Sequence, residues 1–391
     1  MRVTLPVDPH FKTASEVATL KFLAQYTSIP VPRVIAYNAS SQNDLQFEWI
    51  LMTRLPGVPL RNLWPSMSWN QKIDVVKKLS EYINELQRPH FSRAGNLYLV
   101  DQSHPNPSWK LPSNRQAEGF IPLENFVGFV IGPIVTLPFF FENRVKLPSD
   151  RGPFFHSSKM VMSLLNLQIL SAVDRKDVLA ASIHDGDTEY DLDDLEDLDG
   201  AIEASRILLS LVDNFFDDIN NEEFVLRHND LSTNNILIDA STSQITGIVD
   251  WECVSLQPLW EAMRAPQLLD GPEINTVAFR RNFGADIPAD PMTSPPLILD
   301  TLEKDNLEYT DFHEELQGNL EKMLLRRVFE KGRPSDSSAE KLQRIFVNKI
   351  RQVDSEVTWR RARYWAERVR DGKDPEPERD EVDELYFWPE D

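Results

Sequence analysis

The sequence predicts an α+β fold with a small β-rich lobe over residues 1–57, a large, mainly helical lobe over residues 58–370 and an acidic tail over residues 371–391. Two observations support this prediction. The first 57 residues follow a strand, helix, strand, strand order, whereas helical periodicity dominates the remainder. One short β unit, at residues 224–250, interrupts the helical part. A chain of 391 residues is long enough for one large lobe with a smaller one.

The predicted small lobe consists of four elements. They are the tail of a strand at residues 3–5, a helix over residues 13–25, an edge strand in SIPVPRVIAY and a buried strand over residues 47–53. Two prolines exclude helix in the third element and favour an edge position. Thr13 and Glu16 have the spacing of a capping box at the start of the helix. Leu55-Pro56-Gly57 closes the last strand.

Helical periodicity begins at Ser68, which has capping-box spacing with Gln71. Further helices are predicted over residues 157–174, 200–218, 310–331, 338–353 and 356–370. The longest apolar run, residues 126–141, is broken by Gly132, Pro133 and Pro138 and is shorter than the roughly 20 residues that span a bilayer. It predicts a buried strand and loop, and we expect no membrane partner.

The net charge of −21 is concentrated in two blocks. Residues 185–199 contain nine acids and no base, and residues 371–391 contain ten acids and two bases. Such blocks are usually solvated, and no basic stripe is present to neutralise phosphates. We therefore expect no nucleic-acid partner. The single cysteine, Cys253, allows no internal disulfide and is typical of a small buried apolar residue in a reducing compartment. The first residues contain no signal-peptide apolar region, which predicts a cytoplasmic location.

The stretch VLRHNDLSTNNILID, residues 225–239, encloses a polar loop between two apolar segments. Residues 236–238 and 245–249 can pair as a hairpin, which would bring Asn235 close to Asp250. A carboxylate beside a carboxamide oxygen suits Mg²⁺. Asp230 would face the same position and could accept the proton of an attacking hydroxyl. The alternative is a self-capping, Asx-rich turn.

This HxDxxxxN pattern, followed by an apolar strand and VDWE, resembles the aminoglycoside phosphotransferase and choline kinase branch of the protein-kinase-like fold. The resemblance implies ATP and Mg²⁺ as cofactors and a small-molecule hydroxyl as acceptor. It implies that Asp230 is the catalytic base, that Asn235 and Asp250 hold Mg²⁺ and that His228 orders the loop.

Other stretches extend the resemblance over most of the chain. SEVATLKFL resembles the first helix of the family, with Glu16 in the place of the glutamate that pairs with a phosphate-binding lysine. FEWILMTRLPGVPL resembles the strand and hinge that bind adenine, which implicates Met52, Thr53 and Leu55. GFVIGPIVTLPFFF and RGPF resemble a fungal subgroup.

The sequence also departs from the family pattern. The first glycine is Gly57, already at the hinge, so residues 1–57 contain no glycine-rich phosphate loop, and Arg2 stands where the family usually has lysine. Arginine keeps the charge and can bind phosphate with two donors. Either the start of the chain is misassigned, in which case a mitochondrial location becomes open, or the protein is a weakly active or purely binding relative.

A calcium-responsive scaffold is a second alternative. Five acids occupy positions 1, 3, 5, 7 and 12 of a calcium-loop template; they are Asp185, Asp187, Glu189, Asp191 and Glu196. The template requires glycine at position 6, where the chain has Tyr190. A solvated linker between two helices, or an acidic surface that attracts a cationic substrate, explains the run as well.

Overall fold

The computed structural model describes most of the chain. The described residues are 1–5, 7–100, 115–116, 119–184, 192–216, 222–271, 273–274, 276–283, 287–288, 290–292, 307–331, 333, 337–354, 358–373 and 386–387. Within them the fold is mixed α and β, with several small sheets among longer helices.

The first elements form a three-stranded antiparallel sheet with one helix. They are β1 (Arg2–Val3), α1 (Phe11–Tyr26), β2 (Val34–Asn38) and β3 (Trp49–Met52). The sheet order is β1–β3–β2, so the strand predicted in SIPVPRVIAY is an outer strand, and it begins after both prolines. The next strand, β4 (Val58–Pro59), leaves this sheet and pairs with a strand near the polar loop.

The start of α1 differs from the prediction. The helix begins at Phe11, and its N-cap is His10, which makes no side-chain cap hydrogen bond. Thr13 and Glu16 therefore lie inside the helix, and the predicted capping box is wrong. A tertiary contact fixes the start instead, because the backbone N–H of His10 donates to the buried carboxylate of Glu48. Glu16 pairs with Arg2 instead of capping the helix.

The second helix, α2 (Trp69–Gln87), begins as predicted. Ser68 accepts from the backbone N–H of Gln71, whose side chain in turn accepts from the backbone of Ser68. Both halves of the capping box are present, which satisfies two N–H groups that the helix itself leaves open.

A second sheet follows α2. The elements of this region are β5 (Asn96–Leu99), β6 (Arg115–Gln116), β7 (Ile121–Pro122), β8 (Phe129–Gly132), α3 (Leu137–Phe140) and β9 (Ser149–Asp150). The sheet order is β5–β8–β7, and all four residues of β8 are buried. The apolar run 126–141 thus contains the predicted buried strand, β8, but the segment predicted as loop also includes the short helix α3. This sheet packs against α1.

The rest of the chain is mainly helical around short strands. The elements are α4 (Ser157–His184), α5 (Leu192–Phe215), β10 (Phe224–Arg227), β11 (Ile236–Ile238), β12 (Ile245–Ile248), β13 (Ser255–Pro258), α6 (Leu259–Ala262), β14 (Glu273–Ile274), α7 (Thr276–Phe283), α8 (Leu307–Glu330), α9 (Ser338–Val353), α10 (Trp359–Arg370) and β15 (Tyr386–Phe387). β11 and β12 form the predicted hairpin, and β4 extends it to three strands. Because α4 is longer than predicted and α5 begins eight residues early, part of the acidic run is helix.

The main hydrophobic core joins segments that are far apart in the sequence, from α1 to the end of α8. It contains buried side chains of α1, α2, β5 and β8 together with Ile236, Ile238 and Ile248 of the hairpin. A second cluster lies between α4, α5, α9 and α10. The hairpin and α1 therefore pack against the same hydrophobic core. In the described part of the chain, no helix combines the length and the apolar character needed to cross a bilayer.

Candidate active site

His228 braces the loop between β10 and β11. Its side chain is buried; Nε2 lies 3.2 Å from the carbonyl oxygen of Val249, and Nδ1 lies 3.2 Å from the backbone nitrogen of Asp230. Because the backbone N–H of Asp230 must donate, Nδ1 accepts and Nε2 carries the proton toward Val249. Burial lowers the pKa of His228 to about 4. The imidazole is therefore neutral near pH 7 and acts as a brace.

Asn235 connects the loop to the hairpin. Its Nδ2 donates to the carbonyl oxygen and to Oδ2 of Asp230, both at 2.9 Å. The backbone carbonyl oxygen of Asn235 accepts a hydrogen bond from the backbone N–H of Val249 at 2.9 Å. The pairing of Ile236 with Ile248 continues this register along the hairpin. The structure therefore brings Asn235 next to both Asp230 and the residue before Asp250.

Asp250 lies in a tight turn that the packing of Trp251 stabilises. Asp250 and Cys253 have φ values of 62° and 60°, in the left-handed region. Trp251 is buried between them; its Nε1 donates to the carbonyl oxygen of Ile248 at 2.8 Å, and its ring meets the His228 ring edge-on at 4.7 Å. A non-glycine residue in this conformation costs roughly 1 kcal/mol, so the packing of Trp251 is needed to keep the turn.

Three carboxylates converge on the guanidinium of Arg2. Arg2 forms ion pairs with Glu16 and with Glu252, the latter at 3.1 Å, and its Nη1 lies 3.3 Å from Oδ1 of Asp250. The buried Lys12 adds a second cation, with Nζ 2.7 Å from Oε2 of Glu252. The cluster thus has three negative and two positive groups when all are ionised, which suits a site that takes up a further cation.

The pKa values in this cluster reflect burial and crowding of like charges. Burial raises the pKa of Glu16 to about 7; Arg2 opposes the shift, and Glu252 and Asp250 add to it. Burial, followed by the charge of Glu252, also raises the pKa of Asp250. The charge of Asp230 contributes in the same direction, so the carboxylates of Asp230 and Asp250 are close enough to interact. A cation placed here would relieve this repulsion.

The two central carboxylates are open to solvent. Asp230 is exposed, and the side chain of Asp250 is 40% exposed. An incoming hydroxyl group can therefore reach Asp230 without opening the core. Cys253 does not add a nucleophile here, because burial raises its pKa to about 12.

The hinge segment packs against the hairpin. The backbone N–H of Thr53 donates to the carbonyl oxygen of Arg33 at 3.0 Å, and the Thr53 hydroxyl accepts from the backbone N–H of Arg33 at 2.9 Å. Thr246 of β12 donates to the carbonyl oxygen of Pro56 at 2.8 Å. Leu55 lies over Gly247, where an added Cβ would come within 2.5 Å of its Cδ1.

Met52 is half-buried against the main core at the end of β3. The candidate adenine-contacting residues thus adjoin the hairpin that carries Asn235 and Asp250 at its ends. Their hydrogen bonds run to neighbouring backbone groups and not into the carboxylate cluster.

Sequence reasoning missed Lys12 and gave Glu252 no place in the site. Lys12 lies one helical turn before Glu16, so the two share a face of α1, and the i, i+4 spacing could have indicated it. Glu252 is two residues after Asp250, where the turn returns its side chain to the same cluster. The calcium template receives no support: Glu196 lies within α5, and residues 185–191 lie outside the described residues. No group of three or more metal-ligating side chains suited to an ion was found among the residues that are described.

A comparison with protein families finds a match around the polar loop. The model of the phosphotransferase enzyme family matches residues 166–262, a segment that contains β10, the polar loop, the hairpin and the Asp250 turn. Over this segment the chain is similar to the phosphotransferase enzyme family. This family has a protein-kinase-like fold, which agrees with the mixed α and β structure.

Proteins similar to this chain occur in fungi. The chain is 26% identical over 288 residues to a subtelomeric hrmA-associated cluster protein of Aspergillus fumigatus, which covers 66% of this chain and 53% of the relative. It is 30% identical over 173 residues to the mitochondrial protein "altered inheritance of mitochondria protein 9" of Clavispora lusitaniae, covering 41% of this chain and 27% of the relative. The chain thus spans about half the length of the Aspergillus relative.

Proposed function

We propose that the protein transfers the γ-phosphate of ATP to a hydroxyl group of a small molecule, in the manner of the aminoglycoside phosphotransferases. The observation that carries this proposal is the hydrogen-bonded path from Asp230 through the buried Asn235 to Val249, the residue before Asp250. Carboxylate and carboxamide oxygens suit Mg²⁺. The match of residues 166–262 to the phosphotransferase enzyme family supports the same reaction class.

Each residue has one role in this proposal. Asn235 and Asp250 would hold Mg²⁺, which supplies charge neutralisation for the phosphates when bound. Asp230 orients the acceptor hydroxyl and takes its proton as the oxygen attacks phosphorus. His228 stays neutral and holds the loop. These roles agree with the exposure of Asp230 and the burial of His228.

The remaining contacts would bind the nucleotide. Arg2, held by Glu16, would steady the phosphates, and Met52, Thr53 and Leu55 would lie against the adenine. We further propose that residues 1–57 form a small lobe, that residues 58–370 form the larger one and that the cleft between them binds ATP. We assign the acidic tail, residues 371–391, to neither lobe.

A non-catalytic relative that only binds nucleotide is the second candidate. Two observations favour it: Arg2 occupies the position of the family's lysine, and its guanidinium already pairs with Asp250, the proposed metal ligand. A cation that remained on Asp250 would compete with Mg²⁺. The exposed Asp230 favours the enzyme, because a binding protein has no need of a base at this position.

Titration calorimetry with Asp250→Asn separates a specific site from adventitious binding. We expect ATP to bind to the unaltered protein in the presence of Mg²⁺ and this Mg²⁺-dependent binding to fall at least tenfold in the variant. Asp239→Asn is the matched control, because Asp239 is a partly exposed aspartate in the turn of the same hairpin, and its carboxylate accepts hydrogen bonds from Ser241 and Thr242 in that turn. Equal losses in the two variants would contradict the metal assignment.

Turnover decides between the enzyme and the binding protein. A screen of hydroxyl acceptors, including aminoglycosides, choline, homoserine and sugars, should reveal phosphate transfer that Asp230→Ala reduces by about 10²-fold or more while ATP binding persists. Unchanged turnover in Asp230→Ala would remove the base assignment. ATP binding without turnover on any acceptor would favour the non-catalytic relative.

The location of the protein is proposed as cytoplasmic. The printed name of the Clavispora lusitaniae relative places that protein in mitochondria, so a mitochondrial location for this one is the alternative. Fractionation of cells that express the protein from its own locus distinguishes the two.

A further inference from the structure

Asn96 is a fully buried amide at the start of β5, and three separate segments share its hydrogen bonds. Its Nδ2 donates to Oγ of Ser15 at 2.9 Å and to the carbonyl oxygen of Val254 at 2.8 Å. Its Oδ1 accepts from the backbone N–H of Val135 at 2.8 Å. All four residues are at most 2% exposed. Asn96 therefore connects α1, the loop after β8 and the turn that ends at Val254.

Two of the residues that Asn96 contacts, Ser15 and Val254, are close in sequence to residues of the candidate active site. Ser15 precedes Glu16, which pairs with Arg2. Val254 follows the turn that contains Asp250 and Glu252. The neighbouring residue of Asn96, Gly95, exchanges backbone hydrogen bonds with Leu256 of β13, which ties the end of the same turn to β5.

The chemistry of the amide is matched to this position. A carboxamide offers two N–H donors and one acceptor, and Asn96 uses both donors and the acceptor without access to water. A leucine would leave buried polar groups unpaired, and an aspartate would set a carboxylate against the carbonyl oxygen of Val254. The left-handed conformations of Asp250 and Cys253 make the turn dependent on such external anchors.

We propose that Asn96 is a positioning residue that fixes α1 relative to the Asp250 turn and thereby sets the affinity of the site for Mg²⁺ with nucleotide. The effect on Mg²⁺ affinity rests on the proposed function. The link between α1 and the Asp250 turn rests on the hydrogen bonds of Asn96 alone. Asn96 acts through Ser15 and Val254 and touches neither the metal nor the phosphates. The ion pair of the buried Lys12 with the partly exposed Glu252 also joins α1 to the Asp250 turn.

The test uses Asn96→Ala in the full chain with Gln87→Ala as the control. Gln87 is also a buried amide that joins distant elements: it donates to the carbonyl oxygen of Ala262 at 2.6 Å and accepts from Arg333 at 2.7 Å, away from the carboxylate cluster. Both variants are expected to unfold at lower temperature. Comparing them separates loss of stability from loss of positioning.

The first readout is the Mg²⁺ concentration at which a non-hydrolysable ATP analogue binds half-maximally. We expect Asn96→Ala to raise this concentration roughly tenfold, with little change in metal-free binding, and Gln87→Ala to leave it unchanged. A milder variant, Ser15→Ala, should shift it in the same direction by a smaller factor. An unchanged Mg²⁺ requirement in folded Asn96→Ala would overturn the proposal.

The second readout is amide hydrogen exchange, which does not depend on nucleotide binding. Asn96→Ala should accelerate exchange in both α1 and the segment 250–256, and Gln87→Ala should accelerate it in neither. Faster hydrogen exchange confined to β5 would contradict the claim that Asn96 joins α1 to the Asp250 turn. If the unaltered protein binds no nucleotide at any Mg²⁺ concentration, the proposed function fails, and the exchange pattern still decides whether Asn96 joins the two elements.

Discussion

At the residue scale, the candidate site consists of polar side chains whose protonation states follow from burial. His228 is kept neutral by burial, whereas burial and crowding hold protons more tightly on Glu16 and Asp250. The motif predicted His228 and Asp250 because both lie in one stretch that a hairpin folds back on itself. The motif does not include Lys12; its i, i+4 spacing from Glu16 is a local signal, but its pairing with Glu252, 240 positions away, depends on how α1 packs.

The neutral state of His228 predicts how stability depends on pH. Its folded pKa of about 4 is below the ordinary value of 6.5, so the unfolded chain binds the proton more readily. The stability that this neutral histidine provides is present above pH 6.5 and declines as the pH falls toward 4, by about 3 kcal/mol.

Urea denaturation of the unaltered protein and of His228→Asn between pH 4 and pH 8 measures this contribution as a difference. The variant should be less stable at pH 7, and the gap between the two proteins should close by about 3 kcal/mol at pH 4. A gap that stays constant over this range would show that the imidazole is not held neutral by burial.

At the element scale, the hairpin of β11 and β12 organises the site because both the hinge and the main core rest on it. Its pairing could be predicted from the apolar segments on either side of a polar turn. The docking of β4 on β11 could not, since it joins residues nearly 180 positions apart. Gly57 lies at this contact with φ +103°, and a Cβ there would be 2.3 Å from Oγ1 of Thr246 and 2.7 Å from the carbonyl oxygen of Ile238.

Gly57→Ala tests whether the hinge packs closely on the hairpin. Gly128 is the matched control, because its φ of +95° imposes a similar strain while an added Cβ would have no neighbour within 4 Å. We expect Gly128→Ala to lower the free energy of unfolding by roughly 1–2 kcal/mol through strain. Gly57→Ala should cost about 2 kcal/mol more, because of the clash with backbone. Equal costs in urea denaturation would contradict the close contact.

The acidic run shows why another element could not be predicted. Local composition favoured a solvated linker, yet residues 192–199 form the first turns of α5. Acids stabilise the start of a helix, and ion pairs from distant elements add to this: Asp199 pairs with Lys176 of α4 at 2.6 Å, and Asp197 pairs with Arg360 of α10 at 2.8 Å. These partners become neighbours only after the helices pack.

At the scale of the whole molecule, the order of elements and the mixed α and β class could be predicted, because hydrophobic periodicity and capping signals are local. The sheet formed by β5, β8 and β7 was missed apart from its buried central strand. Its position against α1 is a tertiary property, and it places Asn96 between the two parts of the candidate site. Contacts between segments that are far apart in the sequence therefore determine how α1 and the Asp250 turn are placed relative to each other.

A crystal structure of the chain with Mn²⁺ and a non-hydrolysable ATP analogue would test the central claim most directly. The anomalous signal of Mn²⁺ should lie between the carboxamide oxygen of Asn235 and the carboxylate of Asp250, with Arg2 moved from Asp250 to the phosphates. The carboxylate of Asp230 should face the γ-phosphate across the space for an acceptor hydroxyl. A manganese peak elsewhere, or nucleotide bound away from all three side chains, would contradict the account.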